Sequence, residues 1–195
     1  MRRASAVQPA VATRDRILNA AILRFSRQSY EETGLRDIAA DVDIDVAYVH
    51  RCFGSKEGLF AEAVAATIQP ARLLTGAVGG LAGTLAKQVF ARDAARSRDE
   101  VGPLDIVVRS LSSPDASRVL REFIVKDFIN PLAKKLDQPP SARVALIAAL
   151  LAGVGILRNV LRITPLIEAE GGELEILIAN AIEDMMNAAP IVGQA

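Results

Sequence analysis

The chain has 195 residues, of which 51% are hydrophobic, and its 23 basic and 23 acidic residues give a net charge of zero. This length allows one or two small domains with a proper core, and the single cysteine permits no internal disulfide, which fits the cytosol. The longest uncharged apolar run, 144–157, is shorter than the ~20 residues of a membrane span, so we expect a buried helix and no membrane partner. The sequence contains neither metal-site cysteine spacing nor a nucleotide-binding glycine loop, and we expect no metal and no cofactor.

Residues 1–12 are small and polar-biased, and they lack periodicity, so we expect a disordered tail. No apolar block follows Arg2 and Arg3, which argues against a signal peptide. The two arginines either lie in solvent or reach a DNA minor groove, as basic arms do.

The first helix is expected to begin after Thr13, a good N-cap, with Asp15 near its positive end. An apolar stripe at helical spacing then predicts a side that faces the core, and the helix is expected to end near Ser29. The stripe consists of Leu18, Ala21, Ile22 and Phe25.

Segment 34–53 contains two short apolar stripes separated by a turn at 43–45. Thr33 is placed to cap the first of these helices and Asp45 the second. Two short helices joined by a tight turn predict a helix-turn-helix, whose second helix enters the DNA major groove. The stripes are Leu35, Ile38, Ala39 and Val42, and then Val46, Val49 and Phe53.

Residues 13–64 resemble the N-terminal DNA-binding domain of the tetracycline-repressor (TetR) family. The resemblance lies in three segments in the family's order: TRDRILNAAILRFSRQSY, TGLRDIAADVDIDVAYVHRCF and GSKEGLF. It implies an all-α homodimeric transcription regulator, usually a repressor that a small ligand releases from a double-stranded DNA operator, acting in the cytoplasm at the nucleoid. We expect a three-helix helix-turn-helix domain over 13–72 and a helical ligand-binding and dimerisation domain over 73–195.

The side chains off the stripe of the second motif helix are the candidates for contact with bases. Arg51 suits a base edge, because its fork matches the two acceptors of guanine. Tyr48 suits a thymine methyl or a phosphate, and Ala47 lies where the family needs a small residue for close approach. The alternative is that Tyr48 and Arg51 form an ordinary solvated helix face.

Further residues are assigned to the DNA backbone. His50 occupies the position where the family usually has a phosphate-contacting tyrosine, and a histidine donates more strongly when charged. Lys56 matches the family lysine that contacts the backbone, at a helix start that Ser55 is expected to cap. Arg36, on the first motif helix, completes the predicted set.

Three aspartates around the motif depart from what DNA binding favours. Asp43 stands where the family turn has glycine, in a left-handed conformation that aspartate tolerates. Asp45 stands where the family prefers serine or threonine, and it caps well but repels phosphate. With Asp41 nearby, we expect weakened affinity or an unusual operator contact.

The second half begins after Pro70 and the glycine-rich segment 75–84, and we expect helices near 81–98, 103–112, 114–137, 142–162 and 173–188. Pro131 should kink the third of these. Phe123, Asp127 and Phe128 on that kinked helix, with Pro131, either line a pocket for a largely apolar ligand or belong to an ordinary core. The helix that begins at Ser55 and Lys56 links the DNA-binding domain to this second half, and we expect it to carry the ligand signal.

The last two long helices are apolar on more than one side, so they need a partner surface. Gly153 and Gly155 permit close helix contact. These helices resemble the family's dimer interface, a four-helix bundle formed by two subunits. The predicted interface residues are Ile147, Leu151, Leu177, Ile178, Ala181, Ile182 and Met185.

The sequence therefore predicts a dimeric DNA-binding regulator. One rival is a helical dimer that binds a ligand or a protein partner and whose DNA-binding domain has a weakened or lost function. An enzyme is a second rival, but the single histidine lies on the reading helix, and we expect no catalytic residues.

Overall fold

The computed structural model describes residues 8–90, 102–139, 141–168 and 172–188. Within these ranges the regular structure is helical throughout, and no β-strand occurs in them. The predicted all-α fold is confirmed. The first four helices are α1 (Gln8–Arg27), α2 (Leu35–Asp41), α3 (Val46–Phe53) and α4 (Lys56–Ile68). They are followed by α5 (Pro70–Leu73), a 3-10 turn (Val78–Gly80), α6 (Leu81–Phe90), α7 (Asp105–Ser110), α8 (Pro114–Phe123), a π-helix (Ile124–Ile129) and α9 (Asn130–Lys135). The chain then forms α10 (Ala142–Gly155), a second π-helix (Ile156–Val160), α11 (Thr164–Ile167) and α12 (Glu173–Asn187).

The helices group into two compact units, and the boundary differs from the predicted one at 72/73. The head unit contains α1 to α4 together with α7 and α8, and the body unit contains the other helices. The predicted domain boundary missed the return of the chain, because α7 packs on α1 and α8 packs on α4. Buried Ile106, Leu120 and Phe123 join the core of the head unit, which no local sequence pattern could reveal.

The core of the head unit confirms the predicted stripes. Phe25, Tyr30 and Phe60 form an aromatic cluster, with ring centroids 5.0–5.8 Å apart. Around it, buried residues come from every stripe that the sequence predicted, and residues of α4 join the same core. The buried members include Ala21, Ile38, Ala39, Val42, Val49, Phe53, Leu59, Ala63 and Val64.

Two predicted helix starts are wrong. Helix α1 begins at Gln8, so 8–12 are helical and Thr13 lies inside the helix rather than capping it. A proline in the first turn of a helix loses no intrahelical hydrogen bond, and Pro9 therefore does not prevent the earlier start. Residues 1–7 of the predicted tail, including Arg2 and Arg3, lie outside the described residues.

The start of α2 is capped differently from the prediction. Its N-cap is Gly34, whose N–H donates to the carboxylate of Asp37 at 3.1 Å. Thr33 is fully buried, and its hydroxyl donates to the carbonyl of Ser29 at 3.0 Å. Thr33 thus closes the preceding turn and does not cap α2.

The body unit packs α6 against α12 and α10 around a second apolar core. The predicted single helix over 114–137 is interrupted by the π-helix Ile124–Ile129, just before Pro131. Pro131 has no N–H to donate to the carbonyl of Asp127, so the widened turn lies where the helix lacks this hydrogen bond. The principal buried members of the second core are Leu81, Leu85, Phe128, Leu132, Val144, Ile147, Ile178 and Ile182.

Candidate DNA-binding site and dimer surface

The start of α3 is fixed by its cap, as predicted. The carboxylate of Asp45 accepts a hydrogen bond from the Ala47 N–H at 2.6 Å, and the Asp45 carbonyl accepts one from Tyr48 at 2.9 Å. Asp43 has φ of 54°, so the turn before α3 has the left-handed residue that the family glycine would supply. Buried Val49 anchors the opposite face of α3, and the orientation of its outer face is therefore set.

The outer face of α3 carries the predicted base-contacting residues. Ala47 and Arg51 are exposed, and Tyr48 is half-buried against the core. The Arg51 guanidinium lies over the Tyr48 ring at 5.1 Å from its centroid. The ring thus holds the guanidinium near the helix surface, and the two side chains can approach a groove as a pair.

His50 is exposed, and its Nδ1 lies 3.1 Å from the carbonyl oxygen of Gly54. A carbonyl oxygen only accepts, so this hydrogen bond places a proton on Nδ1. In the neutral ring Nε2 is then an acceptor, and His50 donates to a phosphate through Nε2 only when the ring is charged.

Lys56 begins α4, where the predicted cap is confirmed: Ser55 Oγ accepts from the Gly58 N–H at 3.1 Å. Glu57 lies at the same helix start. Hydrogen bonds from its own backbone N–H and from the Ser55 hydroxyl lower the pKa of the Glu57 carboxyl. The Glu57 carboxylate therefore already accepts hydrogen bonds from donors at this helix start. The Lys56 ammonium is then the main group at the start of α4 that attracts a phosphate.

A side chain at position 58 would not fit this arrangement. A Cβ added to Gly58 would meet the backbone carbonyl oxygen of Phe53, the last residue of α3. The glycine thus allows α4 to start close against the end of α3. Arg36, the remaining predicted contact, is the second residue of α2 and is exposed.

Two of the three aspartates are engaged within the head unit. The Arg24 guanidinium donates to Asp41 through Nε at 2.5 Å and Nη2 at 2.8 Å. This hydrogen-bonded pairing lowers the pKa of the Asp41 carboxyl and raises the pKa of Arg24. Asp45 is engaged by capping but keeps its charge, so only the pairing of Asp41 with Arg24 makes the unpaired carboxylate charge around the motif smaller than the sequence predicts.

The four predicted pocket residues belong to different units. Phe123 belongs to the core of the head unit and Phe128 to that of the body unit. Asp127 is half-buried on the π-helix, and Pro131 is exposed. An open cleft of about 650 Å³ lies elsewhere, within the head unit along α1 and the end of α2.

The predicted dimer residues divide into two groups. Ile147, Ile178 and Ile182 are buried in the core of the body unit and cannot themselves meet a partner. Leu151, Ala181 and Met185 are partly buried, while Leu177 is 58% exposed. Further leucines and isoleucines of this region, which were not among the predicted interface residues, are also exposed: Leu146 by 57%, Leu157 by 43%, Leu161 by 60% and Ile176 by 60%.

Helix α10 and the π-helix after it form one long apolar segment, Ala142–Val160, with mean hydropathy 1.7. By length and composition alone this segment could cross a membrane, and only 17% of its apolar window is buried inside the described chain, so the expected burial of this helix is not provided by its own unit. A Cβ added at Gly153 would meet nothing within 4 Å, so the surface there is open. Among the described residues, this segment therefore carries a large apolar face that the other helices leave uncovered.

Sequence reasoning missed Tyr30 and Arg24 as residues that act on the site. The Lys56 ammonium lies 4.1 Å from the centroid of the Tyr30 ring. These partners are 26 positions apart, and Arg24 and Asp41 are 17 apart, so helical periodicity could not pair them.

A capped reading helix with an outward arginine and tyrosine, followed by a lysine at the next helix start, defines a helix-turn-helix DNA-binding protein. Residues 17–63 match the family model described as bacterial regulatory proteins, tetR family. Residues 80–186 match the tetracyclin repressor-like C-terminal domain. Since the second model covers more than half of the chain, the chain belongs to the TetR family of DNA-binding transcription regulators.

Two individual proteins illustrate the similarity. The probable HTH-type transcriptional regulator YttP of Bacillus subtilis (strain 168) is 33% identical over 54 residues, which are 28% of this chain and 26% of that protein. The match thus spans about a quarter of the curated relative. The crystal structure of a TetR-family regulator from Streptomyces coelicolor A3 has a TM-score of 0.59 and 22% identity, over 95% of this chain and 99% of that one. This second likeness shows a shared fold.

Proposed function

We propose that this protein is a homodimeric repressor that reads a near-palindromic operator and is released from it by a small, largely apolar ligand. The observation that supports this most is the capped α3 with Ala47, Tyr48 and Arg51 on its outer face. Two such helices related by a two-fold axis match two half-sites of DNA.

The contacts divide into two kinds. Arg51 reads a guanine, and Tyr48 supports it or contacts a thymine methyl. Lys56, Arg36 and charged His50 bind phosphates, which fix position and contribute affinity without reading sequence. Few cations per head act in this way, so the affinity should depend on salt only moderately.

The second copy covers the apolar face of α10 and α12. Leu146, Leu177 and the neighbouring exposed side chains form the contact surface, and buried Ile147, Ile178 and Ile182 hold the two helices from behind. The open surface at Gly153 suits the close approach of a helix from the second subunit.

The effector site is assigned to the body unit near the π-helix Ile124–Ile129, where Asp127 is half-buried and Phe128 lies in the apolar core. Widened helical turns occur often at functional sites. Phe123 is left out of this proposal because it packs in the head unit. The ligand couples to DNA only through its different affinities for the two states, typically ~1–3 kcal/mol.

The alternative is a helical dimer with a weakened DNA head. Asp43 is exposed in the turn before α3, and the cap carboxylate of Asp45 lies at the end of α3 that approaches DNA. Both charges repel phosphate. Selection of bound duplexes from a random-sequence pool separates the two functions, because a degenerate head enriches no sequence.

The DNA experiment uses purified full-length protein, the selected duplex and a scrambled duplex, at several salt concentrations. Lys56→Ala should weaken binding to both duplexes and reduce the salt slope by ~1 for each phosphate that the lysine no longer neutralises. Arg51→Ala should reduce the difference in affinity between the selected and the scrambled duplex, because it should lose ~1–3 kcal/mol of binding free energy on the selected duplex. Arg121→Ala is the matched control, since Arg121 is an exposed arginine of α8 in the head unit and forms no salt bridge among the described residues. Equal behaviour of all three variants would contradict the assignment.

The dimer is tested separately by sedimentation. Leu146→Asp combined with Leu177→Asp should give a folded monomer, because two charges would otherwise be buried in the apolar contact. Leu111→Asp is the control: Leu111 is 55% exposed but belongs to the head unit. If the double variant stays dimeric, the interface lies elsewhere. If the wild-type protein partitions into vesicles, the apolar segment serves a membrane instead.

A further inference from the structure

Tyr30 has surroundings that its place in the loop after α1 does not explain. Its ring is 2% exposed and lies between Phe25, stacked at 5.8 Å, and Phe60, edge-on at 5.1 Å. Its hydroxyl is buried, and no hydrogen-bond partner for it occurs among the described residues. A phenylalanine would fill the same apolar space without this orphaned group, so the hydroxyl is not what the site uses.

The ring is instead in contact with a cation. Lys56 Nζ lies 4.1 Å from the ring centroid of Tyr30, which is within cation–π distance. Within the described part of the chain Lys56 forms no salt bridge, whereas Arg14 pairs with Glu62 and Arg24 with Asp41.

This difference matters for DNA binding. A carboxylate partner neutralises a cation and has to be displaced by a phosphate, but an aromatic ring attracts the cation through its quadrupole and leaves the net charge in place. A lysine held in this way also loses less side-chain freedom on binding than a lysine that points freely into solvent.

The helix start makes the position of this ammonium important. The carboxylate of Glu57 already accepts the N–H at its own position, which lowers the pKa of the Glu57 carboxyl. Gly58 donates to Ser55 Oγ at 3.1 Å. A phosphate approaching α4 thus meets fewer vacant backbone donors, and its attraction to this point depends on Lys56.

We propose that the Tyr30 ring is a positioning element that holds the Lys56 ammonium, with its charge intact, at the start of α4 to bind a DNA phosphate. The inference rests on the proposed DNA-binding function and adds a residue that does not itself contact DNA. It assigns the ring face, not the hydroxyl, as the part of Tyr30 that acts.

The first test measures binding of the full-length dimer to a fluorescein-labelled duplex of random sequence and to the selected duplex. Tyr30→Phe keeps the ring and should bind both as the wild type does. Tyr30→Leu should weaken both roughly twofold to tenfold per subunit, the range expected when one lysine side chain must be ordered on binding. Phe25→Leu is the control, since Phe25 stacks on Tyr30 but is paired with no cation among the described residues. It should lower thermal stability with little effect on DNA affinity.

A second series removes the concern that Tyr30→Leu unfolds the head. In the Tyr30→Phe variant, the new phenylalanine is exchanged for its trifluorinated and pentafluorinated forms. These forms keep the shape of the ring but progressively reduce the negative electrostatic potential of its face. DNA affinity should fall stepwise along this series in the wild-type background and stay constant in a Lys56→Met background.

The outcomes separate the inference from the function. If Lys56→Met weakens binding but the fluorinated series has no effect, the positioning role is wrong and the DNA-binding function stands. If the series weakens binding equally with Lys56→Met present, the ring acts through packing alone and the inference is again overturned. If the wild-type protein binds neither duplex, the proposed function fails, and the inference fails with it.

Discussion

Replacing Asp45 separates the two roles of this residue, which the structure places at the start of α3. Its carboxylate caps the helix through the Ala47 N–H at 2.6 Å, yet it also brings a negative charge to the end of α3 that approaches DNA. Asp45→Ser keeps a capping oxygen and removes the charge, while Asp45→Ala removes both. The two variants therefore differ only in the cap, and each differs from the wild type in charge.

The stability side follows from capping. Serine caps about as well as aspartate, so Asp45→Ser should change the free energy of unfolding by less than ~0.5 kcal/mol. Asp45→Ala should cost about 1 kcal/mol. In a chain of this size that lowers the melting temperature by ~2–4 °C, which differential scanning calorimetry detects.

The DNA side follows from charge. A carboxylate ~6–8 Å from one phosphate in water contributes a repulsion of ~0.5–0.7 kcal/mol. Two heads double this, so Asp45→Ser should bind the selected duplex roughly sixfold to tenfold more tightly at low salt, and the gain should shrink as salt rises. Asp45→Ala should show a smaller gain, because part of α3 frays before it binds.

A weaker affinity of Asp45→Ser at every salt concentration would refute this reasoning. It would mean that the carboxylate accepts a hydrogen bond from a base, as aspartate does from cytosine N4, and that Asp45 reads sequence. An unchanged melting temperature of Asp45→Ala would show that the 2.6 Å cap does not stabilise the head in solution.

Three further substitutions test other parts of the structure. Burial raises the pKa of Tyr30 from 10.0 to about 12, so its neutral form stabilises the fold fully below pH 10 and this contribution is lost as the pH rises through about 12; Tyr30→Phe should resist unfolding in that window, as circular dichroism would show. Pairing with Arg24 lowers the pKa of Asp41 from 3.8, so the pair stabilises the fold above pH 3.8 and this contribution is lost as the pH falls below that value. Because the pair is exposed, Asp41→Asn should reduce the free energy of unfolding at pH 7 by only ~0.2–1 kcal/mol, and stability should depend less on pH in an acid unfolding titration. Gly153→Ala should raise the stability of the isolated subunit by up to ~1 kcal/mol, since open space surrounds that Cβ, but weaken dimerisation in sedimentation if a partner helix packs there.

The sequence predicted several features that depend on local chemistry, although the local caps expected at Thr13 and Thr33 were wrong. The turn at Asp43, the cap by Asp45 and the cap by Ser55 all involve groups within three positions of each other, and the structure confirms them. The apolar stripes of the head were correct for the same reason, because helical spacing alone decides which side chains share a face.

What the sequence could not predict depends on pairs that are distant along the chain. The negative charge of the three aspartates around the motif was overestimated, because Arg24 of α1 pairs with Asp41 of α2. Phe123 and Phe128 of the predicted effector pocket lie in the cores of different units, because the chain passes from one unit to the other between them, and helical spacing does not reveal this. The dimer residues were chosen by periodicity, which identifies the apolar faces but not which of two faces the chain itself covers.

These pairings explain how a head with little excess positive charge is suited to DNA. Residues 1–60 contain nine basic and eight acidic residues, so no broad basic field draws the protein to arbitrary DNA. Near the motif, Asp41 is instead paired with a guanidinium, and Asp45 caps a backbone N–H while it keeps its charge. Lys56, by contrast, is held by the face of an aromatic ring and keeps its charge. Affinity then rests on a few positioned contacts, and each should carry a large share of the discrimination between operator and other DNA.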